Sequence, residues 1–174
     1  MTDRIGAAED AVSVALAQHR VEAGRVGGNV DRAVAAIERA AENGADLVCL
    51  PEMFNVGYFA FDAYARNAEG LDGETLDRIG ATAADHGVAV QAGSIVEDLE
   101  ASAEAGFSTP ESEGLANASV FLDRDGEVQA VYRKQHLFGY DSAETQLLTP
   151  GESLPTVEFE GFTVGMTTCY DLPF

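Results

Sequence analysis

Apolar residues follow two different spacings along this chain, and the spacing indicates which segments are strands and which are helices. Residues 12–21 and 46–50 are short apolar runs, which are typical of strands in a sheet. The segment between them has apolar residues at helical spacing, at Val30, Val34, Ile37 and Ala41. A strand, a helix and a strand of these lengths predict one βαβ unit.

Capping residues mark the ends of the predicted helices. Asn29 or Asp31 can cap the first turn of the first helix, and Gly44 suits the left-handed backbone that often follows a helix. Further along, Glu74–His86 predicts a second helix that Gly87 closes.

The second half of the chain is predicted to consist mainly of strands. They are expected over residues 88–96, 117–122, 127–132, 156–159 and 162–168. Asp125-Gly126 is a strong hairpin signal. Residues 97–114 are polar and of low complexity, which predicts a surface loop or insertion, and residues 134–149 are expected to be irregular. The pattern predicts an α/β fold in one domain over residues 1–174, since no linker or repeat divides the chain.

Three reactive side chains follow predicted strands. They are a carboxylate at Glu52, an ammonium at Lys134 and a thiol at Cys169. A thiol can act as nucleophile while a carboxylate takes and returns its proton. An ammonium and a backbone N–H can stabilise the oxyanion that forms. The set would suit acyl transfer, but spacing alone does not bring the groups together, and a structural role is commoner for a buried free cysteine.

The segments around these residues carry a family resemblance. LVCLPEMFNVGYF, YRKQHLFGYD and GMTTCYDLPF resemble, in order and in flanking residues, the signature segments of the nitrilase, or carbon–nitrogen hydrolase, superfamily. The resemblance implies that Glu52 is the general base and acid, Lys134 the oxyanion-stabilising lysine and Cys169 the nucleophile. It also implies that Glu144 helps to position the substrate and the lysine, and that the backbone N–H of Tyr170 completes the oxyanion hole.

The resemblance further implies a fold, an assembly and a substrate class. The family has a four-layer αββα sandwich, usually paired into dimers or larger homo-oligomers, with no metal and no organic cofactor. Tyr170-Asp171 is similar to the amidase and carbamoylase branches, whereas nitrilases tend to carry Trp-Glu there. The expected reaction is hydrolysis of a non-peptide C–N bond in a small amide or N-carbamoyl compound through a cysteine thioester.

Several other residues have a structural and a functional interpretation. Met53, Phe54, Tyr58 and Phe59 form either core or pocket wall, and the resemblance favours the pocket, with Tyr58 and Phe59 near the substrate. Cys49 lies inside an apolar strand and is predicted to pack in the core. His136 is predicted to make structural hydrogen bonds, because the glutamate already supplies a base.

Charge excludes some classes of partner. Thirty acidic residues face ten basic ones, for a net charge of −20, which argues against binding nucleic acid or an anionic membrane surface. The acidic residues are scattered, so we expect a halophile-like acidic surface suited to a salt-rich cytoplasm. Full stability in a low-salt melt would count against that hypothesis. Lys134 is the only lysine, which reflects either a function or chance retention.

The sequence also favours a cytoplasmic location. Two cysteines do not make a disulfide framework. No apolar run approaches the roughly 20 residues of a membrane span. Residues 1–10 are acidic and lack the apolar segment of a signal peptide.

One departure from the family leaves two functions open. The family's domain normally continues through further strands and helices, whereas this chain ends five residues after Cys169. We therefore expect it to be truncated, an incomplete N-terminal portion of the domain. It is then either part of a thiol amidase or a non-catalytic remnant that at most pairs with an intact relative.

Overall fold

The computed structural model describes residues 11–174, a part of the chain that contains eight strands, five α-helices and two short 3₁₀ helices. The strands are β1 (Val14–Leu16), β2 (Leu47–Cys49), β3 (Ala89–Gln91), β4 (Ile95–Asp98), β5 (Leu115–Leu122), β6 (Val128–Arg133), β7 (Thr156–Phe159) and β8 (Phe162–Gly165). The helices are α1 (Val26–Glu42), α2 (Tyr64–Asn67), α3 (Glu74–His86), α4 (Leu99–Glu104) and α5 (Ala143–Leu147). The predicted α/β class is confirmed. The expectation about a signal peptide concerns residues 1–10, which lie outside the described residues.

Strands β1 to β6 form one mixed sheet. β1, β2 and β3 pair in parallel, and β3 and β4 both pair antiparallel with β5, which also pairs with β6. β1, α1 and β2 are the predicted βαβ unit. The strand predicted over residues 88–96 is therefore one strand in two halves, interrupted at residues 92–94.

The sheet is covered on both faces. Helices α1 and α3 pack on one face, with a core that includes Val30, Ile37, Val48, Ile79 and Val90. The hairpin β7–β8 packs on the opposite face through Phe159 and Met166, against Leu47, Phe121 and Tyr132. Cys49 is partly buried against this second cluster. Within residues 11–174 the layers are thus helices, a six-stranded sheet and a two-stranded sheet.

The N-terminal end of α1 differs from the prediction. The helix begins at Val26, so Asn29 lies inside it and does not cap it. The Asn29 side chain is buried, accepting a hydrogen bond from the backbone N–H of Glu22 and donating to the carbonyls of Glu22 and Asn55. Asn29 therefore ties the helix to two loops, a contact that helical spacing does not reveal. Helix α3 has the predicted bounds, and Gly87 after it has a φ of 59°.

The loop predicted over residues 97–114 is partly wrong. Glu97 lies in β4 and is fully buried, because its carboxylate forms a bidentate ion pair with Arg133 at 2.6 and 2.7 Å. Asp98 accepts a hydrogen bond from the N–H of Ala101 and caps α4. The ion pair between Glu97 and Arg133 and the helix cap at Asp98 therefore make the first part of this polar segment regular structure rather than loop.

Three other segments also differ. β1 extends only over Val14–Leu16, because its one partner among the described residues, β2, offers three residues. β8 ends at Gly165 and is mostly exposed rather than buried, since only one side of the hairpin packs on the large sheet. The irregular segment over residues 134–149 contains α5, which Ser142 caps by accepting from the N–H of Thr145.

Candidate active site

The turn that carries Glu52 fits into the break between β3 and β4. Gly93, at the break, has a φ of 38°, and a Cβ there would lie 2.0 Å from the carbonyl oxygen of Pro51. Two hydrogen bonds join the turn to Ser94. The backbone N–H of Met53 donates to the Ser94 hydroxyl at 2.9 Å, and the backbone N–H of Phe54 donates to the Ser94 carbonyl at 3.1 Å. The close approach of these two backbones requires the glycine and fixes the position of Glu52.

The ammonium group of Lys134 is enclosed by two carboxylates. Its Nζ donates to Glu52 Oε1 at 2.9 Å and to the two oxygens of Glu144 at 3.0 and 3.2 Å. The Lys134 side chain is fully buried. Burial alone would lower the pKa of Lys134, but the hydrogen bonds and charges of the two carboxylates raise it. The ammonium therefore stays charged in the interior.

Glu144 lies in the first turn of α5 and is almost completely buried. Besides Lys134, its carboxylate accepts from the hydroxyl of Tyr58 at 2.9 Å and from the backbone N–H of Phe138 at 2.6 Å. Burial, followed by the hydrogen bond and charge of Glu144, raises the pKa of Tyr58, so its hydroxyl remains a donor. The Glu144 carboxylate thus accepts hydrogen bonds from the ammonium, a hydroxyl and a backbone N–H at the same time.

Cys169 begins a single 3₁₀ turn over Cys169–Asp171, has a φ of 50° and is exposed. Asp171 anchors this turn: its buried carboxylate accepts from the N–H of Thr168 at 2.9 Å and from the hydroxyl of Tyr132 at 2.6 Å. It also accepts from the backbone N–H of His136 at 2.9 Å and lies 3.0 Å from its Nδ1. His136 thus has a structural contact, as predicted, and the cysteine turn is tied to β6 and the segment after Lys134.

The surroundings of Cys169 raise the pKa of its thiol. Partial burial contributes most, followed by the charge of Glu52 and a hydrogen bond with it, while the charge of Lys134 and the backbone of Tyr170 act in the opposite direction. The thiol is therefore mostly protonated near neutral pH and needs a base to become a nucleophile. The Glu52 carboxylate is the basic group beside it.

Most of the predicted site residues lie together in the structure. Met53, Phe54, Tyr58 and Phe59, which follow Glu52 in the sequence, lie in different environments. Glu52, Lys134, Glu144 and Tyr58 form one hydrogen-bonded cluster, and Cys169 lies beside it. Met53 and Phe54 are fully buried in the core, whereas Phe59 is 84% exposed with its ring against Tyr58. The ring of Tyr170 packs on Phe138 with centroids 5.3 Å apart. The roles of these residues stay predictions.

One member of the cluster is missing from the predictions. Asn117, in β5, donates from Nδ2 to Glu52 Oε1 at 2.9 Å and to Glu144 Oε1 at 3.3 Å. Asn117 lies at the start of a predicted hairpin strand, and no pattern in that strand indicates that its amide contacts the two carboxylates.

Neither a metal cluster nor a membrane helix occurs in the part of the chain that the structure describes. Between residues 11 and 174, no three His, Cys, Asp or Glu side chains are grouped so that they could hold a metal ion. No helix over the same residues is long and apolar enough to cross a bilayer.

Comparison with known proteins identifies related sequences. The profile of the carbon-nitrogen hydrolase family matches residues 13–174. The chain is 32% identical to nitrilase homolog 2 of Dictyostelium discoideum, over 84% of this chain and 43% of that protein. It is 34% identical to an omega-amidase of Homo sapiens, over 84% of this chain and 50% of that protein. The chain thus spans about half the length of the curated relatives it matches.

Solved structures show the same fold. The crystal structure of an amidase from Nesterenkonia sp. aligns with 99% of this chain and 61% of its own, at a TM-score of 0.79 and 28% identity. A glutamate-to-glutamine mutant of the amidase from Nesterenkonia sp. AN1, at a TM-score of 0.77 and 28% identity, covers 94% of this chain and 59% of its own. That mutant shows the result of Michael addition of acrylamide at the active-site cysteine.

Proposed function

The chain belongs to the carbon–nitrogen hydrolase family, and from this premise we propose that it is the N-terminal part of a single-domain thiol amidase. The substrate class is a small amide or N-carbamoyl compound. The observation that carries the proposal is the burial of Lys134 between Glu52 and Glu144, beside the exposed thiol of Cys169. If the ion pairs of Lys134 were only structural, they would not explain why Cys169 is held beside them in a strained, left-handed backbone conformation.

In the proposed reaction, Sγ of Cys169 attacks the amide carbonyl carbon while Glu52 takes the thiol proton. The C–S bond forms, and the carbonyl π electrons move to the oxygen. The positive charge of Lys134 and the backbone N–H of Tyr170 stabilise that oxyanion. When the tetrahedral intermediate collapses, the C–N bond breaks and the leaving amine takes the proton from Glu52, which leaves a thioester on the cysteine.

Hydrolysis of the thioester repeats these steps with water. Glu52 takes a proton from the water, whose oxygen bonds to the thioester carbon. The C–S bond then breaks, the carboxylic acid leaves and the proton returns to the sulfur. In this account Glu144 holds Lys134, and Tyr58 and Phe59 contact the substrate. Pairing into homodimers or larger assemblies stays a prediction, as does a cytoplasmic location.

A glutamine at position 52 is expected to separate thiol reactivity from catalysis. Because the charge of Glu52 raises the pKa of Cys169, Glu52→Gln lowers that pKa, and iodoacetamide alkylates the thiol faster near neutral pH. Amide hydrolysis falls by about 100-fold or more, since the base is lost. The measurement is the alkylation rate against pH, together with ammonia release. The reactive cysteine of the glutamate-to-glutamine amidase mutant supports this expectation.

The matched control is Glu158→Gln, which removes a carboxylate from the exposed strand β7. It is expected to leave both the alkylation profile and ammonia release unchanged. An alkylation midpoint in Glu52→Gln that stays at the wild-type pH or rises would contradict the assignment of Glu52 as the neighbouring base.

A further inference from the structure

Asn117 contacts all three charged members of the cluster. It lies in β5 and is 1% exposed. Its Nδ2 donates to one oxygen each of Glu52 and Glu144, at 2.9 and 3.3 Å. Its backbone carbonyl accepts from the N–H of Lys134 at 2.9 Å. Asn117 is thus attached both to the two carboxylates and to the strand end that presents the ammonium.

The orientation of the Asn117 amide follows from its neighbours. Only the NH₂ group can donate to carboxylates, so Nδ2 must face Glu52 and Glu144. The other end of the amide, Oδ1, is then buried with no hydrogen-bond partner among the described residues. A buried carbonyl oxygen without a hydrogen-bond partner lowers stability, so an unpaired one in a native protein needs an explanation. Here the explanation is that the NH₂ group of the same amide holds the two carboxylates.

Asn117 also restrains Glu52. Oε1 of Glu52 accepts from both Nδ2 of Asn117 and Nζ of Lys134, each at 2.9 Å. Rotation of the carboxylate would break both hydrogen bonds at once. The two donors therefore fix the position of Oε1. Without the amide, the lysine alone would hold a carboxylate that two donors now fix.

We propose that Asn117 is a positioning residue, whose side-chain NH₂ holds the carboxylates of Glu52 and Glu144 in place around the ammonium. This rests on the proposed function, in which Glu52 takes the proton of the thiol. Asn117 touches no reacting atom in this account and acts through the two glutamates. Its carboxamide also supplies the donors without adding charge to a cluster that already has two carboxylates and one ammonium.

The test is Asn117→Asp, which keeps the shape of the side chain and replaces the NH₂ donor by an oxygen. The groups that face Cys169 are Glu52, Lys134 and Tyr58, with Asp171 in its own turn. The new carboxylate adds negative charge to the cluster beside Cys169, which disfavours the thiolate. The midpoint of Cys169 alkylation by iodoacetamide should therefore rise by about one pH unit, or about tenfold in rate near neutral pH. If amides are hydrolysed, kcat should fall more than KM rises.

The matched control is Asn29→Asp, the same substitution at another buried amide, whose NH₂ donates to the backbone carbonyls of Glu22 and Asn55 and to no carboxylate of the cluster. Both variants should melt at lower temperature than the wild type, but only Asn117→Asp should move the alkylation midpoint. If Asn117→Asp does not fold, Asn117→Ala adds no charge and should instead lower the midpoint toward that of Glu52→Gln, because the carboxylate that raises the pKa of Cys169 is then held by Lys134 alone. An unmoved midpoint in a folded Asn117 variant, or an equal shift in Asn29→Asp, would overturn the proposal. A wild-type chain without amidase activity would refute the proposed function but leave this test intact.

Discussion

Replacing Lys134 with methionine is expected to slow amide hydrolysis and to destabilise the chain, both by a large factor. The side chain keeps its length but loses the charge that lies between Glu52 and Glu144. Removing one partner of a buried ion pair leaves uncompensated charge and typically costs about 3–5 kcal/mol in the free energy of unfolding. Loss of an oxyanion-stabilising group typically lowers kcat by about 100- to 1,000-fold. Denaturant unfolding and ammonia release measure the two effects.

Arg133→Met is the matched control for this prediction. Arg133 is the neighbouring residue and the other buried cation among residues 11–174, but it pairs with Glu97. Its loss should destabilise the chain by a similar amount. It should leave Cys169 alkylation unchanged, whereas Lys134→Met should slow it, because the charge of Lys134 lowers the pKa of the thiol. Equal effects of the two variants on alkylation would contradict a role for Lys134 beside the nucleophile.

Replacing Cys169 with alanine is expected to remove amide hydrolysis with little loss of stability. The side chain is exposed, so its loss opens no cavity, and the φ of 50° is about equally unfavourable for either residue. Without the thiol no acyl intermediate can form, so ammonia release should fall to the background rate. The measurement is ammonia release from a panel of small amides and N-carbamoyl compounds.

Cys49→Ala is the control for the cysteine prediction. Cys49 is partly buried, and burial raises the pKa of its thiol, so it should be a poor nucleophile. This variant should keep the ammonia release of the wild type. Activity that survives Cys169→Ala would refute the assignment of Cys169 as the nucleophile. A folded, soluble wild-type chain with no activity at all would favour the alternative function, a non-catalytic partner of an intact relative.

The positions of the reactive residues could be predicted from the sequence because they depend on strand ends. Glu52 and Lys134 each follow a strand of the same sheet, and short apolar runs identify those strands well. The resemblance to family segments then assigned roles that spacing does not provide. The bounds of α3 were also predictable, since helical spacing ends there at a glycine with a left-handed backbone.

Asn117 could not be predicted, because its contacts depend on the register of a hairpin. The turn signal at Asp125-Gly126 predicts which strands pair, but an irregularity at Phe121/Leu122 shifts the register. That shift places Asn117 opposite Lys134 rather than opposite Arg133. No local pattern in the sequence indicates a bulge of this kind.

The ion pair between Glu97 and Arg133 was missed for a related reason. Both residues are charged and one begins a polar stretch, so local composition indicates a surface loop. β4 and β6 flank β5 on opposite sides, and this brings the two side chains within 2.6 Å. Burial of a charged residue is decided by a partner 36 positions away, which periodicity does not detect.

In the proposed reaction, Cys169 carries the acyl group from the first half to the second. Mass-spectrometric mapping after acid quench can detect this acyl group, with a p-nitrophenyl ester as substrate because its good leaving group makes acylation faster than hydrolysis. We expect one acyl group on the peptide that contains Cys169, removed by hydroxylamine as a thioester is, and absent in Cys169→Ala. An acyl group on Cys49 or another residue, or turnover without acylation of Cys169, would contradict it.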